Sequence, residues 1–381
     1  MSVKLSQRSY QICSVCVMDT SNPFIEFDTA GQCDGCRDAM KRMRATWFPN
    51  EEGALRLDRL VAHLRHGSSE RRYDAMIGLS GGVDSAYLAH LAVRRLGLRV
   101  LAVHVDGGWN SEPAVSNIER IVRANNIDLY THVVEWSEMR SLQRAFLRAG
   151  VLNQDIPQDH AFFSTLYRTA SKFKIRNFLS GVNFASECIV PRRFGHSYMD
   201  AIHIEAINRH YGGAPLSRYR PMSTLEYLWL TQSGRGVRVH RPLDLLTYSK
   251  CQAESELREH YGWRCYGTKH SESRFTKFYQ DIYLPRKHNF DKRRLHLSSL
   301  IVSGQLTRAE ALRALERPVI DPDQAKRDLK FVAKKLDMST DELDTLIGRP
   351  PESHDRFPSN KGVINLMRSL SRFAQHLGRG R

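Results

Sequence analysis

The sequence predicts an α/β fold built on a doubly wound parallel sheet. Three short apolar runs, at 75–79, 100–105 and 129–134, alternate with segments in which apolar residues recur at helical spacing. A fourth short run, at Phe178 and Leu179, is followed, like the first, by a turn that contains serine and glycine. Strands that alternate with helices in this way form parallel sheets with helices on both faces.

The same periodicity predicts the other elements in chain order. A packing helix over 54–66 follows an amino-terminal knuckle that ends near residue 50. Beyond residue 190 the periodicity weakens, and less regular structure is expected over 192–241. The remaining predicted helices cover 86–96, 112–125, 137–149 and 161–173 in the sheet domain, then 308–315, 321–336 and 340–347 in a mostly helical C-terminal region.

Composition and charge narrow the classes of function. The formal net charge is +16, which favours polyanionic partners. The basic residues are spread along the chain without an aromatic-rich RNA-binding motif, so a solvated basic surface or a nucleotide site accounts for the charge as well. No apolar run approaches the roughly 18 residues of a membrane span, and the first residues lack a signal-peptide core. We therefore expect a cytoplasmic protein without membrane insertion.

Four of the seven cysteines form two Cys-x-x-Cys pairs, Cys13/Cys16 and Cys33/Cys36, with sixteen residues between them. This spacing predicts a tetrahedral zinc site, which would be structural because four thiolates leave no open position. A redox pair or an iron–sulfur cluster is the alternative. The roles of the other three cysteines stay open, and such residues are more often buried small hydrophobes than nucleophiles: Cys188, Cys251 and Cys265.

The segment Ser80-Gly81-Gly82-Val83-Asp84-Ser85 lies between the first predicted strand and a predicted helix. Two glycines allow backbone N–H groups to surround an anion, and the helix N-terminus adds positive potential. The hydroxyls of Ser80 and Ser85 can bind phosphate oxygens, and Asp84 can hold a magnesium ion. The alternative is a plain turn that an aspartate caps.

Two later strand ends carry further candidates. His104 and Asp106 close the second strand, where a carboxylate can face a nucleotide or can merely cap the next turn. Gly181 and Asn183 follow the fourth strand, with Glu187 four residues later, and could form a second wall of the cleft or a common turn.

The loop at 80–85 resembles the pyrophosphate loop of the N-type ATP pyrophosphatases, which split ATP into AMP and pyrophosphate. With the cysteine pairs, the chain resembles the N-acetyl sugar amidotransferase family of bacterial surface-polysaccharide (O-antigen) biosynthesis. The resemblance extends to about Leu312 and is weakest over 192–241. It rests on Cys13 to Thr20, Phe27 to Cys36, Gln143 to Leu147, Ile156-Pro157 with Asp159-His160, and a block of conspicuous residues from Lys269 to Gly304.

The resemblance implies a function for each predicted domain. The predicted domains are a zinc-binding knuckle at 1–50, an ATP pyrophosphatase domain at 51–190, an acceptor-substrate region at 191–315 and a helical tail at 316–381. The implied substrate is a UDP-linked N-acetylated sugar or sugar acid, and the implied product carries an acetamidino group. ATP, Mg²⁺ and structural Zn²⁺ are the expected cofactors.

The resemblance also implies site residues and partners. Asp84 and Lys269 are the implied catalytic residues, with a plain surface lysine the alternative for Lys269. A separate glutaminase and a cyclase-like barrel subunit would supply ammonia, because no glutaminase signature is recognisable and position 2 is Ser2. Substrate candidates, each of which could be only a solvated charge or a polar surface residue, are Asn183, Glu187, His270, Glu272, Lys292, Arg293, Arg294 and His296.

Two other classes of protein compete with this interpretation. A tRNA-modifying ATP pyrophosphatase, either a thiolase or a lysidine-type enzyme, shares the loop and suits the positive charge. A thiolase usually has further cysteines close together, whereas Cys188, Cys251 and Cys265 are far apart in sequence and only the fold could bring them together. A zinc-stapled scaffold without catalysis is disfavoured by the intact loop, and nucleic acid is not an expected partner of the amidotransferase.

Overall fold

The computed structural model describes residues 9–66, 71–190, 196–234, 236–265 and 272–364. Five strands form a single parallel sheet in the order β3-β2-β1-β4-β5. The order reverses between β1 and β4, as in a doubly wound sheet. The predicted fold class is therefore confirmed. The strands are β1 (Ala75–Gly78), β2 (Val100–Asp106), β3 (Asp128–Val133), β4 (Asn177–Leu179) and β5 (Arg238–His240).

Helices cover both faces of the sheet and form the C-terminal region. In the first half of the chain they are α1 (Asp34–Thr46), α2 (Glu51–Arg65), α3 (Val83–His90), α4 (Glu112–Ala124), α5 (Trp136–Ala149), α6 (Ile156–Lys172) and α7 (Phe184–Glu187). In the second half they are α8 (Ala201–Ile207), α9 (Thr224–Gln232), α10 (Lys250–Tyr261), α11 (Arg274–Phe278), α12 (Leu284–His288), α13 (Arg293–Val302), α14 (Arg308–Glu316), α15 (Pro322–Lys335) and α16 (Thr340–Gly348).

The region 192–241 differs from its prediction. Among its described residues it contains α8, α9 and the edge strand β5 instead of mainly irregular structure. Helix α9 was not predicted because its own apolar residues lie on several sides of the helix: Leu230 is buried, whereas Leu225 and Trp229 are exposed. Without a polar face, its sequence shows no amphipathic period.

Alternation along the strands divides the sheet's core into two layers. Met76 packs with Leu101 and Phe178 on one face of the sheet. Ala75 and Ile77 pack on the other face. Because neighbouring strand residues point to opposite faces, a four-residue strand contributes to both layers.

A third apolar cluster joins the knuckle to the C-terminal helices. It contains the four paired cysteines and residues of α11, α12, α13, α15 and α16, so it crosses the predicted domain boundaries, which stay a prediction. Polar contacts strengthen this junction. Ser298 Oγ accepts the Val17 N–H at 3.2 Å, Arg294 donates to the Val17 carbonyl at 2.7 Å, and Arg308 donates to the Cys13 carbonyl at 3.0 Å.

None of the helices within the described residues is both long enough and apolar enough to cross a membrane.

Candidate functional site

A cleft of about 400 Å³ opens at the carboxyl ends of the neighbouring strands β1 and β4. The turn after β1 and the turn after β4 both line it. They approach each other closely: a Cβ added at Gly181 would lie 3.1 Å from the Ser85 nitrogen. This switch point is where open α/β sheets bind their ligands.

The loop after β1 depends on its glycines. Gly81 has φ +82°, and a Cβ there would lie 2.5 Å from the Ala114 carbonyl oxygen, so only glycine fits without rearrangement. A hydrogen bond between the side chains of Ser80 and Ser85 joins the two ends of the loop. Their hydroxyls are 3.1 Å apart, and Ser85 Oγ also donates to the Gly82 carbonyl at 3.0 Å. The result is a compact anion cradle at the start of α3.

Asp84, in the first turn of α3, accepts a hydrogen bond from the Tyr248 hydroxyl. Burial and the Asp84 charge raise the pKa of Tyr248 far above its ordinary value. Tyr248 therefore stays protonated and acts as the donor to Asp84. A carboxylate beside a phosphate cradle is a suitable ligand for Mg²⁺.

Glu272 reaches the loop from the C-terminal part of the chain. A bridge between Asn110 and Ser273, and a 2.8 Å bond from the Ser111 N–H to the Glu272 carbonyl, fix its backbone. Its carboxylate then lies against the loop, because a Cβ at Gly82 would come within 2.9 Å of Glu272 Oε1. The segment after residue 271 therefore completes the cleft.

The start of α6 forms the opposite wall, with two carboxylates one helical turn apart. Asp155 Oδ1 accepts from Thr276 Oγ1 at 3.2 Å. Burial and the neighbouring Asp155 raise the pKa of Asp159 to about 8, with Lys292 acting in the opposite sense. Phe162, Phe163 and Leu166 of α6 continue this wall, and Phe178 of β4 also lines the cleft. Together they give a surface suited to a planar base.

His104 and Asp106 have different environments. His104 lines the cleft, and its ring bonds the Leu79 carbonyl through Nδ1 at 2.9 Å and Asn110 Nδ2 through Nε2 at 3.1 Å. With these partners, Nδ1 donates to the carbonyl and Nε2 accepts from the amide. Asp106 accepts the Gly108 N–H at 2.8 Å, so it caps the turn after β2 and does not line the cleft.

The structure brings most of the predicted site residues together. Those that line the cleft are Ser80, Gly82, Val83, Asp84, Ser85, His104, Gly181, Glu187, Glu272 and Lys292. Gly81 shapes the loop from beneath. Lys269 and His270 lie outside the described residues. Those that do not line the cleft are Asp106, Asn183, Arg293, Arg294 and His296.

Three residues outside the cleft make structural contacts. Asn183 caps α7 by accepting the Ser186 N–H at 2.9 Å. Arg293 pairs with Asp291 at 2.7 Å. Arg294 pairs with Asp19 of the knuckle at 3.0 Å. Their roles toward a substrate stay predictions.

Sequence reasoning missed several lining groups. Asp155 and Asp159 carry a local signal, two carboxylates four residues apart in the first turn of a helix with a proline near its start. Tyr248 carries none, because it reaches Asp84 only through the tertiary fold. Thr276 and Gln280 also line the cleft and belong to the C-terminal segment.

The described lining is strongly acidic. Four carboxylates and one lysine face the cleft: Asp84, Asp155, Glu187, Glu272 and Lys292. The carboxyl group of Asp159 also faces it, and its raised pKa keeps it mainly protonated at neutral pH. A polyphosphate entering such a cleft requires accompanying positive charge. The arrangement therefore fits a nucleotide that carries a divalent cation better than it fits bare nucleic-acid phosphates.

The four paired cysteines converge in the knuckle and are all buried. Cys13 and Cys36 sulfurs are 4.0 Å apart, and Cys16 and Cys33 sulfurs are 3.7 Å apart. Bonds of 2.3 Å to one tetrahedral ion would separate sulfurs by about 3.8 Å. Backbone N–H groups also donate hydrogen bonds to the sulfurs. The Cys33 N–H, for example, donates to Cys13 Sγ at 3.2 Å. The group therefore fits a single tetrahedral metal ion.

The other cysteines do not assemble at the cleft. Cys188 is buried, and Cys251 and Cys265 are exposed. Within the described part of the chain, no cysteine lines the cleft. The arrangement of cysteines that a thiolase would use is therefore not seen there.

Solved structures with a similar chain course were found at low identity. NMN synthetase from Francisella tularensis is 16% identical, with 74% of this chain and 93% of that chain covered and a TM-score of 0.33. The NH3-dependent NAD synthetase from Campylobacter jejuni subsp. jejuni NCTC 11168, in complex with the nitrate ion, is 14% identical, with 78% and 96% covered and a TM-score of 0.31. U34-tRNA thiolase NcsA from Methanococcus maripaludis, with its 4Fe–4S cluster, is 14% identical, with 82% and 89% covered and a TM-score of 0.29. These likenesses are remote, and the fold assignment rests on the parallel sheet itself.

No curated protein matches the chain. A family model matches residues 272–371, and its description is LPS biosynthesis protein WbpG-like, C-terminal domain. The matched segment begins at Glu272, whose carboxylate lies against the loop at 80–85. Residues 272–371 are therefore similar to the C-terminal domain of a WbpG-like lipopolysaccharide biosynthesis protein, in agreement with the resemblance to surface-polysaccharide enzymes.

Proposed function

We propose that the protein is an ATP-dependent amidotransferase that converts the N-acetyl group of a UDP-linked acetamido sugar, or sugar acid, into an acetamidino group. The proposal rests on one observation: the loop at 80–85 and Glu272, the first residue of the WbpG-like segment, line the same cleft. The loop supplies a nucleotide-phosphate site, and the segment supplies the connection to lipopolysaccharide synthesis.

The cleft offers separate surfaces for the parts of ATP. The apolar wall that includes Phe162 and Phe163 suits adenine, and the loop amides and serine hydroxyls suit the β- and γ-phosphates. Asp84 would hold Mg²⁺, which neutralises charge on pyrophosphate. Tyr248 keeps the Asp84 carboxylate oriented for this role. Lys269 would add a positive charge at the phosphates.

The chemistry explains why ATP is consumed. An amide carbonyl is a poor electrophile, and its oxygen is a poor leaving group. In the first step this oxygen attacks the α-phosphorus of ATP, and the bond to pyrophosphate breaks. Ammonia then adds to the activated carbon, the carbon–oxygen bond breaks, and AMP leaves with the former carbonyl oxygen. The product is the amidine, and the proton lost from nitrogen passes to solvent or to a nearby carboxylate.

The acidic residues that line the cleft support the second step. The carboxylates of Asp155 and Glu187 line the cleft and would stabilise an amine nucleophile and a cationic amidine. In this proposal ammonia comes from a separate glutaminase through a cyclase-like barrel subunit. Zn²⁺ in the four-cysteine site would be structural and would take no part in the reaction.

The first experiment measures AMP and pyrophosphate formed from ATP–Mg²⁺ with ammonium chloride, while UDP-N-acetyl sugars, their uronic acids and bulk tRNA are supplied in turn. We expect turnover only with a sugar nucleotide, and a product in which NH replaces one oxygen by mass. Asp84→Ala should abolish AMP formation and leave the circular dichroism spectrum unchanged.

Other outcomes would contradict the proposal in distinguishable ways. Turnover only with tRNA would indicate the tRNA-modifying class. ADP in place of AMP would exclude an ATP pyrophosphatase. ATP binding without pyrophosphate release under any of these conditions would favour a scaffold.

A further inference from the structure

Three histidines form a buried cluster that is separate from the cleft. His203 lies in α8, His196 precedes that helix, and His354 lies in a short turn after α16. Their exposed fractions are 8% for His196, 0% for His203 and 8% for His354. The His196 and His203 rings are 3.9 Å apart, and the His203 and His354 rings are 5.1 Å apart between centroids. Three imidazoles so close together in a protein interior require an explanation.

One end of the cluster is oriented by a carboxylate. Asp200 Oδ2 lies 2.8 Å from His196 Nε2 and also accepts the Asn360 N–H at 2.9 Å. Asp200 Oδ1 accepts the His203 N–H at 3.1 Å. The carboxylate therefore fixes the proton of His196 on Nε2 and leaves the Nδ1 lone pair directed elsewhere. Carboxylate–histidine pairs of this kind orient metal ligands.

His196 Nδ1 is buried, and it has no hydrogen-bond partner among the described residues. A buried imidazole nitrogen with an uncompensated lone pair is costly. An ion or a water molecule at this position would remove the cost.

The other end of the cluster shares one proton between two rings. The Asn153 N–H donates to His354 Nε2 at 3.1 Å, so His354 carries its proton on Nδ1. His354 Nδ1 is 3.0 Å from His203 Nε2, which is therefore the acceptor.

We propose that His196, His203 and His354 bind a divalent transition-metal ion of the Zn²⁺ class. The ligand atoms would be His196 Nδ1, His203 Nε2 and His354 Nδ1. Candidate ligand atoms of the three residues lie within 4.8 Å of one another. Nitrogen–metal bonds of about 2.0 to 2.1 Å place ligand nitrogens roughly 3.3 Å apart, so the cluster contracts by rotation of the stacked rings.

Binding also requires one proton to move within a ring. His354 must carry its proton on Nε2 when Nδ1 binds the ion, so Nε2 can no longer accept a hydrogen bond from the Asn153 N–H. Asn153 Oδ1 accepts the Asp155 N–H at 3.1 Å. The ion would thus link the turn at His354 to α8. It would also change the hydrogen bonding of Asn153, which lies two residues before Asp155 of the cleft. This proposal does not depend on the reaction proposed above.

The test is the metal content of the purified full-length protein, measured by inductively coupled plasma mass spectrometry after zinc loading and gel filtration. We expect two equivalents of zinc in the wild type, one for the four cysteines and one for the histidines. His196→Gln and His354→Gln should each retain one equivalent. His210→Gln, at an exposed histidine near the end of the same helical segment, is the matched control and should retain two.

Cobalt provides a second measurement that needs no variant. A Co²⁺ titration of the metal-free wild type should show one equivalent with thiolate-to-cobalt charge-transfer bands and a second that adds only weaker d–d bands. One equivalent in the wild type, or two in the folded His196→Gln and His354→Gln variants, would refute the histidine site. If those variants fail to fold, the absence of a second cobalt equivalent would refute it.

Discussion

The Tyr248 hydroxyl donates a hydrogen bond to the Asp84 carboxylate across 164 positions of sequence. Tyr248 precedes α10, and Asp84 lies in the first turn of α3. The contact holds the carboxylate of the phosphate loop in one orientation, so it couples the loop to an element that sequence motifs do not include.

Replacing Tyr248 by phenylalanine should therefore slow the reaction without unfolding the protein. A lost hydrogen bond to a charged group is worth about 1.5 to 3 kcal/mol. We expect AMP formation to fall at least about tenfold, with a weaker apparent affinity for Mg²⁺. The measurement is initial rate against magnesium concentration. An unchanged magnesium dependence would contradict the role assigned to this contact.

Replacing Gly81 by alanine should abolish ATP binding, because the new Cβ would lie 2.5 Å from a backbone carbonyl and because φ is +82°. Gly304→Ala is the matched control, since Gly304 has φ +74° with open space around its Cβ position. The control carries the same kind of backbone strain without the steric overlap. Isothermal calorimetry with ATP–Mg²⁺ should show binding in the control only.

Replacing Asp159 by asparagine should stabilise the protein increasingly as pH rises. The pKa of Asp159 is raised to about 8 in the folded state, whereas an unfolded aspartate titrates near about 3.9. The folded state keeps a proton that the unfolded chain has lost, so the wild-type free energy of unfolding falls between about pH 4 and pH 8. Asparagine removes this loss.

Thermal melts of both proteins from pH 5 to pH 9 check this prediction. The melting temperature of Asp159→Asn minus that of the wild type should grow across the range and level off above about pH 8. A difference that stays constant with pH would contradict the raised pKa.

Loss of the four-cysteine metal should destabilise more than the knuckle. Cys33→Ser should lose one equivalent of metal and lower the melting temperature, because the knuckle packs against the C-terminal helices. Cys251→Ser changes an exposed cysteine outside the site and should keep both the metal and the melting temperature. Equal stability of Cys33→Ser and wild type would refute a structural metal.

The sheet and its phosphate loop were predictable because their signals are local. An apolar strand, two glycines and an amphipathic helix follow one another within 75–96, and the structure shows β1, the loop and α3 there. Helix α1 was missed, because its sequence is polar and it buries mainly Asp34, Gly35, Cys36 and Ala39. It is fixed by the cysteines at its start and not by an apolar stripe.

The cleft was only half predictable for the same reason. The strand-end residues His104 and Gly181 are found by counting from each strand. Glu272 was named from a family resemblance, and Tyr248 was not named, since each meets the loop through tertiary contacts. Arg293 shows the converse: a charge in a conspicuous basic run can be occupied by an ion pair with its own neighbour, Asp291.

The junction between the knuckle and α13 has a consequence for synthesis of the protein on the ribosome. Val17 meets Ser298 across 281 positions. At about 5 to 20 residues per second, roughly 15 to 60 s separate the emergence of the two partners. During that interval the knuckle exposes the apolar surface that will later face the C-terminal helices. If the knuckle bound its metal ion early, it would stay folded until the C-terminal helices had been synthesised. The availability of metal during translation would then govern the yield of native protein.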